Sequence, residues 1–150
     1  MLELIYNNLT FYAASTYFDI QTISKIPYQM DEIMELTKRG KILIAADTHS
    51  RSKTWHDHIT NTRGKKLEVY LAGSQLHIIN EEKERSTFNN TRGVSNIDLT
   101  IVNNNLLTDV HDWEISGEDS LSEHNYLKYK ISVSRRKLYT RNAKEDQHDK

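Results

Sequence analysis

The feature that most constrains the fold of this chain is the stretch Lys41 to Ser50, a continuous apolar run that ends abruptly in Asp47-Thr48-His49-Ser50. A run rich in Ile, Leu and Ala that follows Gly40 is typical of a strand buried on both faces, because neither face then needs polar side chains. Asp47 then lies at the carboxyl end of that strand, where sandwiches and α/β sheets present functional loops. Asp47 is therefore the first candidate site residue.

Length and composition predict one intracellular domain. The chain has 150 residues, 37% of them hydrophobic and 27% charged, which suits a single domain that is more polar than average. Its net charge of -1 provides no overall attraction to nucleic acid, so phosphate binding would require a local basic patch. The absence of cysteine excludes disulfides and thiolate zinc sites and suits an intracellular compartment. No apolar run approaches the roughly 18 residues of a membrane span, so we expect no membrane partner.

Hydrophobic patterns along the chain predict seven strands and two helices. Strands over residues 1–6 and 9–17 are expected to form a hairpin across Asn7-Asn8. One amphipathic helix is predicted over residues 23–39, with Gly40 as its C-cap, and a second from Asn61 or Thr62 to Gly73. The other predicted strands are the apolar run and residues 76–80, 95–102, 111–115 and 126–133. Helices inserted between strands favour a layered α/β fold with mixed or antiparallel sheets.

The C-terminal residues have a different character from the rest of the chain. Residues 134–150 are basic and then mixed polar, without apolar periodicity, which is typical of a disordered tail or a linker. We therefore expect a domain over residues 1–133 followed by a polar tail over residues 134–150.

Three polar stretches each end or line a predicted strand: Asp47-Thr48-His49-Ser50, Ser95-Asn96-Ile97-Asp98 and Ser122-Glu123-His124. A single acid at a strand end is more often a turn former, but three such stretches together are more informative. Carboxylates from separate strand ends can hold Mg²⁺ through oxygen, and an imidazole beside an acid can face an anionic phosphate. The combination suits phosphodiester hydrolysis.

These stretches belong to an ordered series of short motifs that runs from about Leu9 to Ser132. The series resembles the endonuclease/exonuclease/phosphatase superfamily, and specifically the apurinic-type endonuclease domain of non-LTR retrotransposons. The remaining motifs that carry the resemblance are Trp55, Asn61-Thr62-Arg63-Gly64, Leu76-His77-Ile78-Ile79-Asn80, Ser86-Thr87-Phe88, the continuation Leu99-Thr100, and Trp113. Each motif alone is weak evidence, whereas their common order is strong evidence. The resemblance implies a layered α/β-sandwich and a nuclease that requires Mg²⁺ or Mn²⁺ and acts on DNA.

The resemblance also implies roles for individual residues. Asp47 would orient and deprotonate the attacking water, and His124 would donate to a phosphoryl oxygen while Glu123 holds it in orientation. Asp98 would support the metal or the phosphate. The metal ligands that the resemblance implies are Asp98 and Glu123. With His49, which occupies the position of a family Asn, these residues form the predicted catalytic set.

Two further residues are predicted to bind substrate. Tyr17 falls where the family has a tyrosine that contacts phosphate, although a core or edge aromatic is an equally good interpretation. Arg63, Arg92 and Lys53 are candidate contacts to the DNA backbone, and we favour Arg92 among them. The family context further implies a nuclear site of action and a reverse transcriptase domain downstream in a longer protein.

Departures from the family pattern keep a second hypothesis open. An imidazole at His49 cannot donate and accept with the geometry of an amide. Glu123 stands where the family has Asp, and a misplacement of about 1 Å can cost roughly a hundredfold in rate. The superfamily domain is also longer, so we expect this chain to correspond to its C-terminal part, without the first half that supplies a metal-binding Glu. The alternative function is therefore a weak or inactive remnant that at most binds nucleic acid.

A third hypothesis, unrelated to the resemblance, is a histidine-rich metallohydrolase. It is suggested by His49, His56, Asp57 and His58, because alternating histidines on an extended segment can gather a transition metal. A solvated polar loop is the more common outcome for such a stretch.

Overall fold

The apolar run forms β3 (Lys41–Asp47), the central strand of a five-stranded sheet in a computed structural model that describes residues 1–6, 9–21, 25–38 and 40–132. Within those ranges there are nine strands and two α-helices, together with a 3-10 turn at Lys53–Trp55. The other strands are β1 (Leu2–Tyr6), β2 (Leu9–Tyr17), β4 (Leu76–Ile78), β5 (Phe88–Asn90), β6 (Gly93–Ser95), β7 (Asp98–Asn103), β8 (Val110–Ile115) and β9 (Leu127–Ile131). The helices are α1 (Ile26–Leu36) and α2 (Thr62–Ala72).

The five-stranded sheet has mixed pairing and the order β1-β2-β3-β7-β4. Strands β2 and β3 are parallel, whereas β3 and β7 are antiparallel, as are the two outer pairs. The register places Tyr17 beside Asp47 and Asp47 beside Asp98. Three candidate site residues therefore lie next to one another at one end of three adjacent strands.

Both faces of the central strands are covered, as predicted for the apolar run. The helices and the sheet share one core, in which Met30, Ile42, Ile44 and Ile101 have no measurable exposure. On the opposite face, the β8–β9 hairpin covers a smaller core around Val102. Sheet, helices and hairpin thus form the layers of an α/β-sandwich, which confirms the predicted fold class.

Both tryptophans are packing anchors. Trp55 is 1% and Trp113 is 2% exposed. The indole Nε1 of Trp113 donates to Thr100 Oγ1 at 3.0 Å, so part of the polar face of β7 is covered by β8.

The two helices differ in how well local signals predicted their ends. Helix α2 has Asn61 as its N-cap and Gly73 as its C-cap, as the sequence predicts. Helix α1 is shorter than predicted, because it ends at Leu36 and Thr37 is the C-cap. The Thr37 hydroxyl donates to the carbonyls of Ile33 and Met34, and the prediction of Gly40 as the C-cap was therefore wrong. Residues 23 and 39, the predicted ends of this helix, lie outside the described ranges.

The strand predicted over residues 95–102 is divided into two elements. Strand β6 ends at Ser95 in a hairpin with β5, and β7 begins at Asp98 in the main sheet. Between them, the backbone amide of Asn96 donates to Asp57 at 2.7 Å, and its side chain donates to the His56 carbonyl at 2.7 Å. These non-local contacts pull Asn96 out of the ladder, which explains part of the excess over seven predicted strands.

Two predictions about the ends of the chain have different outcomes. In the described ranges, neither helix has the length and apolar character needed to cross a membrane. The predicted polar tail over residues 134–150 lies outside the residues that the structure describes.

Candidate active site

Asp47 and Asp98 lie at the same end of the sheet, which we call the site end, because each is the terminal residue of a central strand. Asp47 ends β3, Asp98 begins β7, and the two are cross-strand partners. Each side chain is 17% exposed, so both carboxylates are largely shielded by protein yet accessible from one side. The structure therefore brings these two candidate site residues together at one end of the sheet.

His124 completes a cluster with the two acids. Its Nδ1 lies 2.9 Å from Oδ1 and 3.0 Å from Oδ2 of Asp98. Its Nε2 lies 3.9 Å from Oδ2 of Asp47, and its side chain is 38% exposed. The Phe88 ring packs against the imidazole at a centroid distance of 4.8 Å. The imidazole is thus held by a carboxylate on one side and an aromatic ring on another, with Nε2 turned towards Asp47.

Thr87 and its neighbours hold the two loops that meet at this cluster. The Thr87 hydroxyl accepts hydrogen bonds from the amides of Ile97 and Asp98, each at 3.1 Å. The Thr87 carbonyl accepts from the Asn125 amide at 2.8 Å. The residues after Thr87 and those around His124 are also linked, since the Asn89 amide donates to the Glu123 carbonyl at 2.8 Å. Sequence reasoning assigned no role to Thr87, although its place in the ordered motif series was a signal.

The environment of Asp98 changes its acidity. Burial raises the pKa of the Asp98 carboxyl above its ordinary value, and the charge of Asp47 acts in the same direction. Hydrogen bonds from His124 and Thr87 and the charge of His124 oppose this without cancelling it. A buried carboxyl with a raised pKa that is hydrogen-bonded to an imidazole is a common feature of catalytic sites.

Tyr17 and His49 form a second pair beside Asp47. The Tyr17 hydroxyl lies 3.1 Å from Nε2 of His49, and the two rings are perpendicular with centroids 5.3 Å apart. The His49 amide donates to Oδ1 of Asp47 at 3.2 Å, and its Nε2 lies 3.7 Å from Oδ2. Tyr17 is 60% exposed, which excludes a core residue and leaves an edge aromatic as the alternative to a contact with phosphate. Its contact with phosphate remains a prediction.

Glu123 lies apart from the cluster, contrary to two expectations. Glu123 is exposed, and its carboxylate lies 3.5 Å from the side-chain amide nitrogen Nδ2 of Asn90. The residue that holds His124 in orientation is therefore Asp98 and not Glu123. The predicted pairing of Asp98 with Glu123 as metal ligands is likewise not brought together, because one extra methylene and a loop position direct the Glu123 carboxylate elsewhere.

Arg92 and Arg63 have very different environments. Arg92 lies in the exposed turn between β5 and β6, where its backbone amide donates to Asn90 Oδ1 at 2.8 Å. Its contact with DNA remains a prediction. Arg63 is only 6% exposed and donates all its described hydrogen bonds to backbone carbonyls, so its interpretation as a DNA backbone contact was wrong.

The cluster has a donor set that suits a divalent cation. Ligand atoms of Asp47, Asp98 and His124 all lie within 4.8 Å of one another, and this is the one such group among the described residues. Mg²⁺ is commonly bound by one or two carboxylates while it keeps several waters. Two shielded carboxylates that share an open side meet that requirement, so the residues present fit such an ion.

The histidine-rich segment does not form a metal site in the described part of the chain. Asp57 is 5% exposed, and its carboxylate accepts from Arg51 Nε at 2.9 Å and from the amides of Ile59 and Asn96. His56 and His58 are exposed on either side of it. The hypothesis of a metallohydrolase centred on these residues is therefore wrong, and Asp57 is a structural acid.

An open depression of about 660 Å³ lies beside the cluster. Its walls include Tyr17, Asp47, Asp98, His124, Tyr126 and Tyr129. The depression gives a substrate direct access to the cluster.

Comparison with known proteins identifies relatives among retrotransposon proteins. The sequence model of the family described as "Endonuclease-reverse transcriptase" matches residues 11–128. The retrovirus-related Pol polyprotein from type-1 retrotransposable element R1 of Bradysia coprophila is 25% identical over 100 residues, which cover 61% of this chain and 10% of that protein. The putative 115 kDa protein in type-1 retrotransposable element R1DM of Drosophila melanogaster is 27% identical over 124 residues, which cover 77% of this chain and 12% of that protein. The chain thus spans about a tenth of these relatives.

Solved structures with a similar fold include two nucleases. The endonuclease domain of TRAS1, a telomere-specific non-LTR retrotransposon, matches with a TM-score of 0.72 and 23% identity, covering 89% of this chain and 63% of that one. A 3'-5' exonuclease (NExo) from Neisseria meningitidis matches with a TM-score of 0.53 and 14% identity, covering 75% and 53%. At these identities the likeness concerns the fold, and it agrees with the resemblance inferred from the sequence.

Proposed function

This chain belongs to the endonuclease-reverse transcriptase family, and on that premise we propose that it is a metal-dependent DNA endonuclease that nicks its target by hydrolysing a phosphodiester bond. The observation that carries the proposal is the convergence of Asp47 with the Asp98–His124 pair on one open end of the sheet. A base, an oriented imidazole and a second acid within one accessible cluster are the groups that phosphodiester hydrolysis requires.

In the proposed reaction, water attacks phosphorus as the bond from phosphorus to the departing sugar oxygen breaks. Oδ2 of Asp47 accepts a proton of the attacking water, the departing oxygen takes up a proton from solvent water, and Asp47 then returns its proton to solvent. The Nδ1–H group of His124 donates a hydrogen bond to Asp98, which leaves Nε2 to face the phosphate. In the imidazolium form both ring nitrogens donate, so Nε2 can stabilise the charge that develops on a phosphoryl oxygen.

Asp47 and Asp98 would hold a Mg²⁺ or Mn²⁺ ion, which when bound neutralises phosphate charge. Carboxylate oxygens suit either cation, so the donor set does not separate the two. Tyr17 and Arg92 are proposed to contact the DNA backbone, Tyr17 from beside the cluster and Arg92 from the exposed turn between β5 and β6.

We propose that this endonuclease activity is one of the activities of a longer protein. The curated relatives are about ten times the length of the matched segment and are proteins of type-1 retrotransposable elements. We propose that the nick made by this domain primes a reverse transcriptase domain of the same protein, and that the site of action is the nucleus, where chromosomal DNA lies.

Plasmid nicking tests the proposal. Supercoiled plasmid, incubated with the chain and Mg²⁺, should be converted to the relaxed form, and EDTA should stop the conversion. Asp47→Ala and His124→Ala should each abolish nicking, whereas His111→Ala, which removes an exposed histidine from β8, should leave the rate unchanged. Metal-dependent nicking by both Asp47→Ala and His124→Ala would show that the activity does not come from this cluster.

A specific observation favours the alternative of an inactive domain that only binds nucleic acid. The imidazole of His49 contacts the Tyr17 hydroxyl, and it stands where the family has an amide. Glu123 is also directed away from the cluster. If no nicking occurs with Mg²⁺ or Mn²⁺, a gel shift whose affinity falls steeply with salt would support binding without cleavage.

A further inference from the structure

Arg63 is a buried cation that joins two loops at the site end of the sheet. Its side chain belongs to the first turn of α2, and the residue is 6% exposed. Nε donates to the Thr48 carbonyl at 2.6 Å, Nη2 to the Phe18 carbonyl at 2.9 Å and Nη1 to the Ile20 carbonyl at 3.2 Å. All three arms of one guanidinium are therefore engaged by backbone that has just left β2 or β3.

The carbonyls that Arg63 binds are adjacent to candidate site residues. Phe18 follows Tyr17, and Thr48 lies between Asp47 and His49. The ladder between β2 and β3 ends nearby, with the Phe18 amide donating to the Asp47 carbonyl at 2.9 Å. Beyond that point the guanidinium supplies the lateral connection that the strands no longer make.

The start of α2 holds the same loop at a second place. Oδ1 of Asn61 caps the helix by accepting from the Gly64 amide at 2.7 Å, and it also accepts from the Arg51 amide at 3.2 Å. The Asn61 amide donates to the Arg51 carbonyl at 3.0 Å. The loop over residues 48–51 is thus fixed at its beginning by Arg63 and at its end by Asn61.

The chemistry of the contact requires arginine. A planar guanidinium presents five N–H donors in a rigid fork, whereas a lysine ammonium is a single point that cannot reach three separated carbonyls. Burial lowers the pKa of Arg63, and the negative charges of Asp19 and Asp47 act against that change. The interaction with Asp47 shows that the buried cation also lies within electrostatic range of the site.

We propose that Arg63 is a positioning residue, which fixes the loops carrying Tyr17, Asp47 and His49 in the arrangement that receives the phosphate. The inference rests on the proposed function for its catalytic consequence, but its geometric content does not depend on activity. Loss of the guanidinium frees the ends of β2 and β3 from each other. The Tyr17–His49 contact, which bridges those two ends, is the part of the site that should respond first.

A nuclear Overhauser effect between the ring protons of Tyr17 and His49 provides a direct measurement on the full chain. Perpendicular rings with centroids 5.3 Å apart bring ring protons within the range of this effect. The main variant is Arg63→Lys, which keeps the charge, and the second is Arg63→Gln. The matched control is Asn103→Ala, because buried Asn103 also joins backbone segments, at the opposite end of β3, through Ile42 and Gly40.

The expected result separates positioning from stability. Both Arg63→Lys and Asn103→Ala should lower the thermal midpoint, but only Arg63→Lys should remove the Tyr17–His49 cross-peak. In the nicking assay Arg63→Lys should lower kcat about a hundredfold, whereas Asn103→Ala should stay within about twofold of the wild type. If Arg63→Gln does not fold, Arg63→Lys alone decides the question.

Three results would overturn the inference. The first is a Tyr17–His49 cross-peak that Arg63→Lys retains, and the second is a cross-peak that Asn103→Ala loses to the same extent. The third is a wild-type nicking rate in an Arg63→Lys protein whose cross-peak is absent. If the wild-type chain does not cut DNA, the proposed function fails on that ground. The cross-peaks still determine whether Arg63 sets the geometry of the site.

Discussion

His124 is oriented by Asp98, whose carboxylate oxygens lie 2.9 and 3.0 Å from the imidazole Nδ1 although the two residues are 26 positions apart. Glu123, the immediate neighbour of His124, points its carboxylate towards Asn90 instead. The acid that directs the imidazole thus comes from a strand of the central sheet and not from the loop that carries Glu123.

Replacing Asp98 with Asn should therefore lower nicking without unfolding the protein. The amide keeps the shape of the carboxyl group but removes the charge that holds the Nδ1 proton, and general acid–base contributions of this kind are worth about 100-fold or more. We expect a fall of that size in kcat for Asp98→Asn, measured on supercoiled plasmid with Mg²⁺. Asp112→Asn, which removes an exposed acid paired with Lys130, should have no effect. Equal rates for wild type and Asp98→Asn would mean that the pair has no catalytic role.

Replacing His49 with Asn should raise activity. His49 has a backbone φ of +49°, a conformation that Asn tolerates better than His, and the family has an amide at this position. An amide can donate to one group and accept from another with a fixed geometry, so we expect His49→Asn to increase the nicking rate about tenfold, roughly the effect of one hydrogen bond to a charged group.

The chain offers a matched control for His49. His56 has a φ of +65° and an exposed side chain in the segment that Asp57 holds. His56→Asn should relieve the backbone in the same way but leave the nicking rate unchanged. If both changes raised the rate, the gain would come from general stabilisation, and if His49→Asn lowered it, the imidazole itself would be the functional group.

Local signals predicted the elements of this fold better than its site. The Asn61 cap and the apolar run of β3 depend on residues that are adjacent in the sequence, so α2 and the central strand were predictable. The break at Asn96 depends on Asp57, which lies 39 positions earlier, and no local pattern contains that contact. For the same reason the burial of Arg63 was missed, because its partners lie 43, 45 and 15 positions before it, in two separate backbone segments.

The structural role of Asp57 predicts how stability changes with pH. Burial alone would raise the pKa of Asp57, but hydrogen bonds from Arg51, Asn96 and Ile59 and the charge of Arg51 hold it below its ordinary value. A carboxyl with a lowered pKa stabilises the fold above its unfolded-state pKa of about 3.9, and this contribution is lost as pH falls through the lower, folded-state pKa.

Asp57→Asn should therefore reduce the free energy of unfolding by about 3 kcal/mol at pH 7, because it leaves a shielded Arg51 and two backbone donors without the carboxylate. The difference from wild type should shrink as the pH is lowered from about 4. Urea denaturation at a series of pH values measures it, with Asp112→Asn as the exposed control. A difference that stayed constant from pH 7 down to the acid limit would show that the charge of Asp57 is not the stabilising feature.

Gly64 allows α2 to begin against the site loop, and a methyl group there should separate the two. A Cβ at this position would lie 1.9 Å from the Arg51 carbonyl oxygen and 2.8 Å from its carbon, so the backbone itself would have to move. We expect Gly64→Ala to cost about 3 kcal/mol or more, since overpacking against rigid neighbours typically costs 1–3 kcal/mol. Because the displaced loop carries His49, nicking should also fall.

Gly73, the C-cap of the same helix, has a φ of -94° and would place a Cβ no closer than 3.8 Å to its neighbours. Gly73→Ala should therefore be neutral or slightly stabilising by reducing the freedom of the unfolded chain. Urea denaturation of the two variants provides the comparison, and a Gly64→Ala protein as stable as Gly73→Ala would disprove the close approach of α2 to Arg51.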